Sequence, residues 1–218
     1  MIKTLTTTLL ALTLGAVFTP AHAQDGNAAE GAKKVAQCIG CHGIPGYQMS
    51  FPEVHRVPMI SGQNAKYIVA SLQAYKKGDR KHPTMRGVSA SLSDQDMADI
   101  GAYYEADGAR ANLKSVAARE PSPEVAALLT KGACASCHGP DYNQPIDPSY
   151  PKIAGQHADY LLVALRSYQI EGNPQIGRNN AIMAGVARQF TRQELKLMAD
   201  YLGRQPGSLA VVPQSRFR

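Results

Sequence analysis

The chain has no tryptophan and only four phenylalanines among its 218 residues. A small helical unit so poor in large aromatics buries little surface by itself, which argues against a core built from side chains alone. There is no tract of lysine and arginine. The formal charge of +6, or +5 once Lys3 is set aside, is scattered along the chain; that is ordinary solubility and speaks against a nucleic-acid partner. Beyond the first residues no run is long and apolar enough for the ~20 residues of a membrane-spanning helix. No stretch alternates in the manner of a strand, so a sheet-based fold is not expected.

What is present begins with a leader. Residues 1–23 read as a secretory signal peptide: Lys3 gives the positive start, Leu5 to Phe18 is mostly apolar, and Ala21-His22-Ala23 is a small-x-small cleavage site. The apolar part is too short, and too rich in threonine, for an anchor. A mature chain starting near Gln24 in an oxidising compartment is expected.

The chain then repeats itself. CIGCHG (Cys38 to Gly43) returns as CASCHG (Cys134 to Gly139), displaced by 96 residues. PMISGQNAKYIVASLQAY (Pro58 to Tyr75) returns as PKIAGQHADYLLVALRSY (Pro151 to Tyr168), displaced by 93. MRGVSASLSDQDMADIGAYY (Met85 to Tyr104) returns as MAGVARQFTRQELKLMADYL (Met183 to Leu202), displaced by 98. The order is kept and the offset changes fall in loops, so a unit of about 95 residues has been duplicated. The expected division is signal peptide 1–23, first domain 24–112, linker 113–120 and second domain 121–218.

Each unit reads as helical. Asn27 to Gln37 opens the first; Pro123 to Lys131 opens the second, with Ser122 as N-cap and Pro123 in the first helical position. Ile68, Leu72 and Tyr75 form a stripe at helical spacing, as do Leu161, Leu165 and Tyr168. A last helix begins at Ser93, where Asp96 approximates a capping box, and at Thr191, where Glu194 makes a full one. Met97, Ile100 and Tyr104, and Leu195, Met198 and Leu202, supply their apolar faces. The fold class expected is all-α, in two tandem units.

C-x-x-C-H is the attachment motif of c-type haem. Two thiols on one helical turn can each add to a haem vinyl group, and the adjacent histidine is held under the iron. The motif occurs twice, on Cys38, Cys41 and His42 and on Cys134, Cys137 and His138. Redox disulfides would want a thioredoxin-like βαβ setting, which is missing. A four-cysteine zinc site would want its pairs about 15 to 20 residues apart, whereas 92 residues separate Cys41 from Cys134. Two covalent haem c groups are expected, each supplying the core its unit lacks.

The repeat also sorts the candidates for the second axial ligand. Met49 lies in a loop that differs between halves. His55 falls on Pro148, Met59 on Lys152, His82 on Asn180, Met97 on Leu195, His157 on Asn64 and Met198 on Ile100. Met85 alone falls on another plausible ligand, Met183. His/Met ligation raises the potential and fills the last coordination site, leaving a haem that passes single electrons and does little else. Around the iron, the carbonyls of Pro58 and Pro151 are candidates to receive the other N–H of each ligating histidine. The matched Tyr67 and Tyr160, and Tyr75 and Tyr168, could pack on haem or bond its propionates. Arg80 and Arg178 could neutralise those propionates, although neither aligns cleanly.

With these motifs the sequence resembles the cytochrome c4 family of bacterial dihaem cytochromes, over nearly the whole mature chain. The resemblance implies two class I cytochrome c domains facing each other, with propionates near the interface. It implies a periplasmic electron carrier, sometimes membrane-associated, between a quinol-oxidising complex or dehydrogenase and a terminal oxidase or other acceptor. The alternative it leaves open is an electron-transfer subunit of a dehydrogenase for sulfur compounds or alcohols. In neither case is the chain itself an enzyme. Two departures stand out: the loop from Ile44 to Val57 carries extra residues, and the segment around Met85 is shorter than Gly177 to Gly185.

Overall fold

The computed structural model describes residues 25–113 and 116–214; residues 1–23, where a signal peptide is expected, lie outside them. The first half contains α1 (Ala28–Lys34), α2 (Ala36–His42), α3 (Ala65–Lys77), α4 (Pro83–Ala90) and α5 (Asp94–Asp107). The second repeats the order with α6 (Pro123–Lys131), α7 (Cys134–His138), α8 (Ala158–Ser167), α9 (Ala181–Ala187) and α10 (Arg192–Leu202). The strands are two-residue pieces: β1 (Gln48–Met49) pairs with β2 (His55–Arg56) antiparallel, as does β3 (Arg80–Lys81) with β4 (Gly177–Arg178). The second pairing joins the two halves.

The opening segment of the first half differs from a single helix over Asn27 to Gln37. Asn27 accepts from the backbone of Ala29 and Glu30, α1 stops at Val35, and α2 then carries the chain through the thiol motif to His42. Ser122 caps α6 with Pro123 in its first turn. Both last helices start on complete capping boxes. Asp96, one methylene shorter than Glu194, still reaches the Ser93 backbone N–H, at 3.0 Å.

The cores follow the stripes. Val35, Ile39, Ile68, Leu72, Leu92, Met97, Ile100 and Tyr104 are buried together in the first half; Val125, Leu128, Leu129, Phe190, Leu195 and Met198 in the second. In the first half α1 and α3 both pack on α5; in the second α6 and α8 pack on α10. The α1–α5 crossing is close: a Cβ on Gly31 would stand 2.1 Å from the Asp99 carbonyl oxygen.

The chain ends of each unit cross over. The linker residue Arg119 reaches the second half, its N–H donating to Gln205 Oε1 (3.2 Å) and its carbonyl accepting from Tyr201 Oη. The segment after α10 instead returns to the first half. Ala210 N–H donates to Ser61 O (2.9 Å), and Leu209, Ala210 and Val212 are buried. Gly62, at φ 85°, admits this strap; a Cβ there would lie 2.3 Å from Ser208 O.

Candidate haem sites

Helical spacing puts Cys38 and Cys41 on one face of α2, and Cys134 and Cys137 on one face of α7. No disulfide joins any of the four, and all are half-buried. Burial pushes the Cys38 thiol up to about 11 and that of Cys134 up as well. Ala133, at φ 48°, turns the chain sharply into α7, whereas the equivalent Gln37 lies within α2.

The histidine after each pair is anchored in the same way. His42 Nδ1 lies 2.9 Å from Pro58 O, and His138 Nδ1 lies 2.9 Å from Pro151 O. A carbonyl only accepts, so Nδ1 carries the proton and Nε2 keeps its lone pair. Burial holds both imidazoles below their ordinary pKa and therefore neutral. A neutral imidazole with a free, oriented nitrogen is what a metal requires.

One continuous cavity of about 370 Å³ runs through both halves, lined mainly by apolar side chains and by all four cysteines and both histidines. Met85 and Met183 line it too. Each sits in the first turn of an equivalent short helix, α4 or α9, whose N-cap, His82 or Asn180, accepts from the methionine's own N–H. His82 thus has a structural task equivalent to that of Asn180. Met97 is wholly buried in the core and Met198 nearly so. His55 is buried with Nδ1 2.7 Å from Glu53 O, and His157 precedes α8. Met49 lies in β1 and Met59 on the wall of the first-half cavity.

Where the halves meet, the cavity is basic. Arg80 and Arg178 are cross-strand partners in the β3–β4 ladder, a relation hidden in the sequence by the loop of different length that precedes them. Arg80 donates to Tyr67 Oη (3.3 Å), Ser71 Oγ (2.9 Å) and Tyr160 Oη (2.6 Å), and Arg178 to Tyr160 Oη (3.1 Å). The guanidiniums also lie over rings, Arg80 over Tyr75 at 4.7 Å and Arg178 over Tyr168 at 5.4 Å. Burial alone would push the Tyr160 phenol up; the two guanidiniums outweigh it and bring it down to about 8. Among the described residues neither arginine has an ion-pair partner. Among the described residues, the buried side-chain polar atoms left without a partner are Arg80 Nε and Tyr104 Oη, and both residues line this cavity. Even half-buried, two cations without anions are costly. An apolar cavity that ends in two such cations fits haem, a flat apolar ring carrying two carboxylates.

Two further residues complete the interface. Gln63 and Gln156, the last letters of the matched SGQ and AGQ, are 3% and 4% exposed. Gln156 Oε1 accepts from Met59 N–H (3.0 Å) and its Nε2 donates to Met59 O (2.8 Å). Gln63 does the same to Lys152, at 3.0 Å on both sides. The repeated triplet was the available signal; that each glutamine acts on the other half was not visible. The inserted loop adds Glu53 with Arg166 and Arg192, and Arg56 with Asp159, across the same boundary.

Two helical units, each with a thiol pair and a neutral anchored histidine on an apolar cavity, define a two-domain dihaem c-type cytochrome. The cytochrome c family model matches residues 28–105 and 123–205. The chain is 32% identical to cytochrome c4 of Stutzerimonas stutzeri, over 88% of this chain and 95% of that protein. It is similar to the structure of reduced recombinant cytochrome c4 from Pseudomonas stutzeri, with TM-score 0.61 and 28% identity, covering 83% of this chain and 100% of that one. A thiosulfate dehydrogenase electron acceptor of Stutzerimonas stutzeri (strain A1501) is 30% identical, over 75% of this chain and 76% of that protein. The chain belongs to the cytochrome c4 family. It is an electron-transfer cytochrome rather than an enzyme, and it carries two covalent haem c groups at Cys38 and Cys41 and at Cys134 and Cys137.

Proposed function

We propose that the protein is a periplasmic carrier of single electrons, between a quinol-oxidising complex or dehydrogenase and a terminal oxidase or other acceptor, in which His42 with Met85 and His138 with Met183 are the axial iron ligands. The observation that carries the ligand assignment is the equivalence of Met85 and Met183, which occupy the same turn of equivalent helices and line the cavity that both thiol motifs share. Haem supplies a one-electron iron couple. The chain's own residues do the rest: the prolines orient the histidines, the apolar lining excludes water, the methionines close the irons to other ligands, and Arg80 and Arg178 with Tyr160 hold the propionates.

The periplasmic assignment rests on Lys3, the apolar Leu5 to Phe18 and Ala21-His22-Ala23, and the domain division stays at 24–112 and 121–218 around the linker 113–120. The relative named as a thiosulfate dehydrogenase electron acceptor favours a second reading, a dihaem partner of one dehydrogenase.

Visible spectroscopy tests the ligands. The oxidised protein should show the weak red band of a methionine–iron bond, and Met85→Ala or Met183→Ala should each remove about half of it; a band untouched by either substitution rejects the assignment. Purification from the native host decides between the readings, since a dehydrogenase that stays bound through it overturns the free carrier.

A further inference from the structure

Pro58 C=O and Met59 N–H are the two ends of one peptide group, as are Pro151 C=O and Lys152 N–H. Each peptide is therefore a link in a chain of hydrogen bonds. His42 Nδ1–H donates to Pro58 O (2.9 Å), and on the other side of that planar group Met59 N–H donates to Gln156 Oε1 (3.0 Å). In the other direction, His138 Nδ1–H donates to Pro151 O (2.9 Å) and Lys152 N–H donates to Gln63 Oε1 (3.0 Å). The second contact of each glutamine, Nε2 to the carbonyl of the same residue, fixes its amide in register.

We infer that Gln63 and Gln156 are positioning residues that tune the haems crosswise: Gln156 of the second half sets the potential of the first haem, and Gln63 of the first half sets that of the second. An amide that donates at its N–H becomes a better acceptor at its C=O, because successive hydrogen bonds polarise one another. A stronger acceptor on Nδ1–H makes the histidine a more basic ligand. A more basic ligand favours oxidised iron and lowers the potential. Burial of both glutamines keeps water from replacing them. The rigidity of the peptide plane also fixes the direction in which each carbonyl meets its imidazole. Docking of the halves is thereby built into both iron environments.

The inference rests on His42 and His138 being iron ligands, and its test separates the two. Gln156→Ala and Gln63→Ala are made in the full dihaem protein. Each is titrated potentiometrically while the haem methyl resonances, assigned through contacts to residues of each half, report the two haems separately. Gln156→Ala should raise the potential of the first haem and leave the second nearly unmoved, with faster exchange of the Met59 amide hydrogen. Gln63→Ala should give the mirror result, with faster exchange at Lys152. Other contacts between the halves, among them the β3–β4 pairing, Lys152 Nζ to Gly62 O (2.7 Å) and Arg56 to Asp159 (2.9 Å), keep them docked in both variants. A shift confined to the substituted half, an equal shift of both haems, a fall instead of a rise, or no shift overturns the inference. If the unsubstituted protein lacks iron-shifted signals from His42 and His138, the ligand assignment fails and the inference falls with it; if they are present and the potentials stay put, the inference alone falls.

Discussion

Arg80 and Arg178 stand directly opposite one another in the ladder that joins the halves, and both donate to the hydroxyl of Tyr160, at 2.6 and 3.1 Å. Like charges facing each other across a strand pair are destabilising. Their placement makes sense only with anionic groups between them, and it makes each charge common to both haem sites.

Arg80→Gln should therefore lower the potentials of both haems, since a nearby positive charge favours the reduced, less positive iron. At about 10 Å and an effective dielectric of about 20, one charge is worth on the order of 1 to 2 kcal/mol. Redox titration of the variant checks this; a shift in one haem only would assign the charge to one site.

Acid should weaken the first half through Asp99. Its carboxylate accepts from Asn27 N–H (2.8 Å) and from Lys34 Nζ (2.6 Å), tying the start of α1 to α5, and these donors hold it below the usual carboxylate range. A depressed folded pKa contributes stability above the unfolded value of ~3.9 and loses it as the pH falls through the folded value. Asp99→Asn should accordingly destabilise the protein at pH ~7, with the gap to the parent closing toward pH ~3, as read from urea unfolding at the two pH values.

Ser93→Ala and Thr191→Ala should cost about the same, ~1 kcal/mol each. Both boxes are closed, although Asp96 is the shorter partner. Chemical denaturation with each variant is the measurement; a clearly cheaper Ser93→Ala would show that the Asp96 box holds less well.

Ending the chain after Gly207 should destabilise the first half, despite the removed residues belonging by sequence to the second. Leu209 and Val212 are 4% and 7% exposed, and burying two such side chains is worth roughly 3 kcal/mol. Amide hydrogen exchange should show the loss around Ser61 and Gly62, and around Tyr103, whose hydroxyl accepts from Gln214 Nε2 (3.2 Å).

Much of this architecture was legible because it is local. The stripe Ile68, Leu72 and Tyr75 lies within one helix, Ser122-Pro123 and Thr191 with Glu194 announce helix starts within a turn, and each thiol motif occupies six residues. The repeat added what no single half offers, the pairing of Met85 with Met183. What stayed hidden is non-local. The strap over Ser61 has no periodicity, because its pairing with Ser61 is made to another unit. Gln63 and Gln156 repeat visibly, yet nothing in a repeat says that a side chain works across the boundary. The split of the first helix at Val35 has no proline or glycine to mark it. Arg80 and Arg178 were obscured by the change of offset from 93 to 98 between the blocks on either side of them.

The strap also bears on the order in which the protein can be made. The first half is synthesised first, but the residues that cover Ser61 and Gly62 are added only after α10. Domains generally fold as units in the order of synthesis; here one backbone contact of the earlier unit waits on the later one. Pairing of Ala210 with Ser61 therefore follows the synthesis of all five helices of the second half.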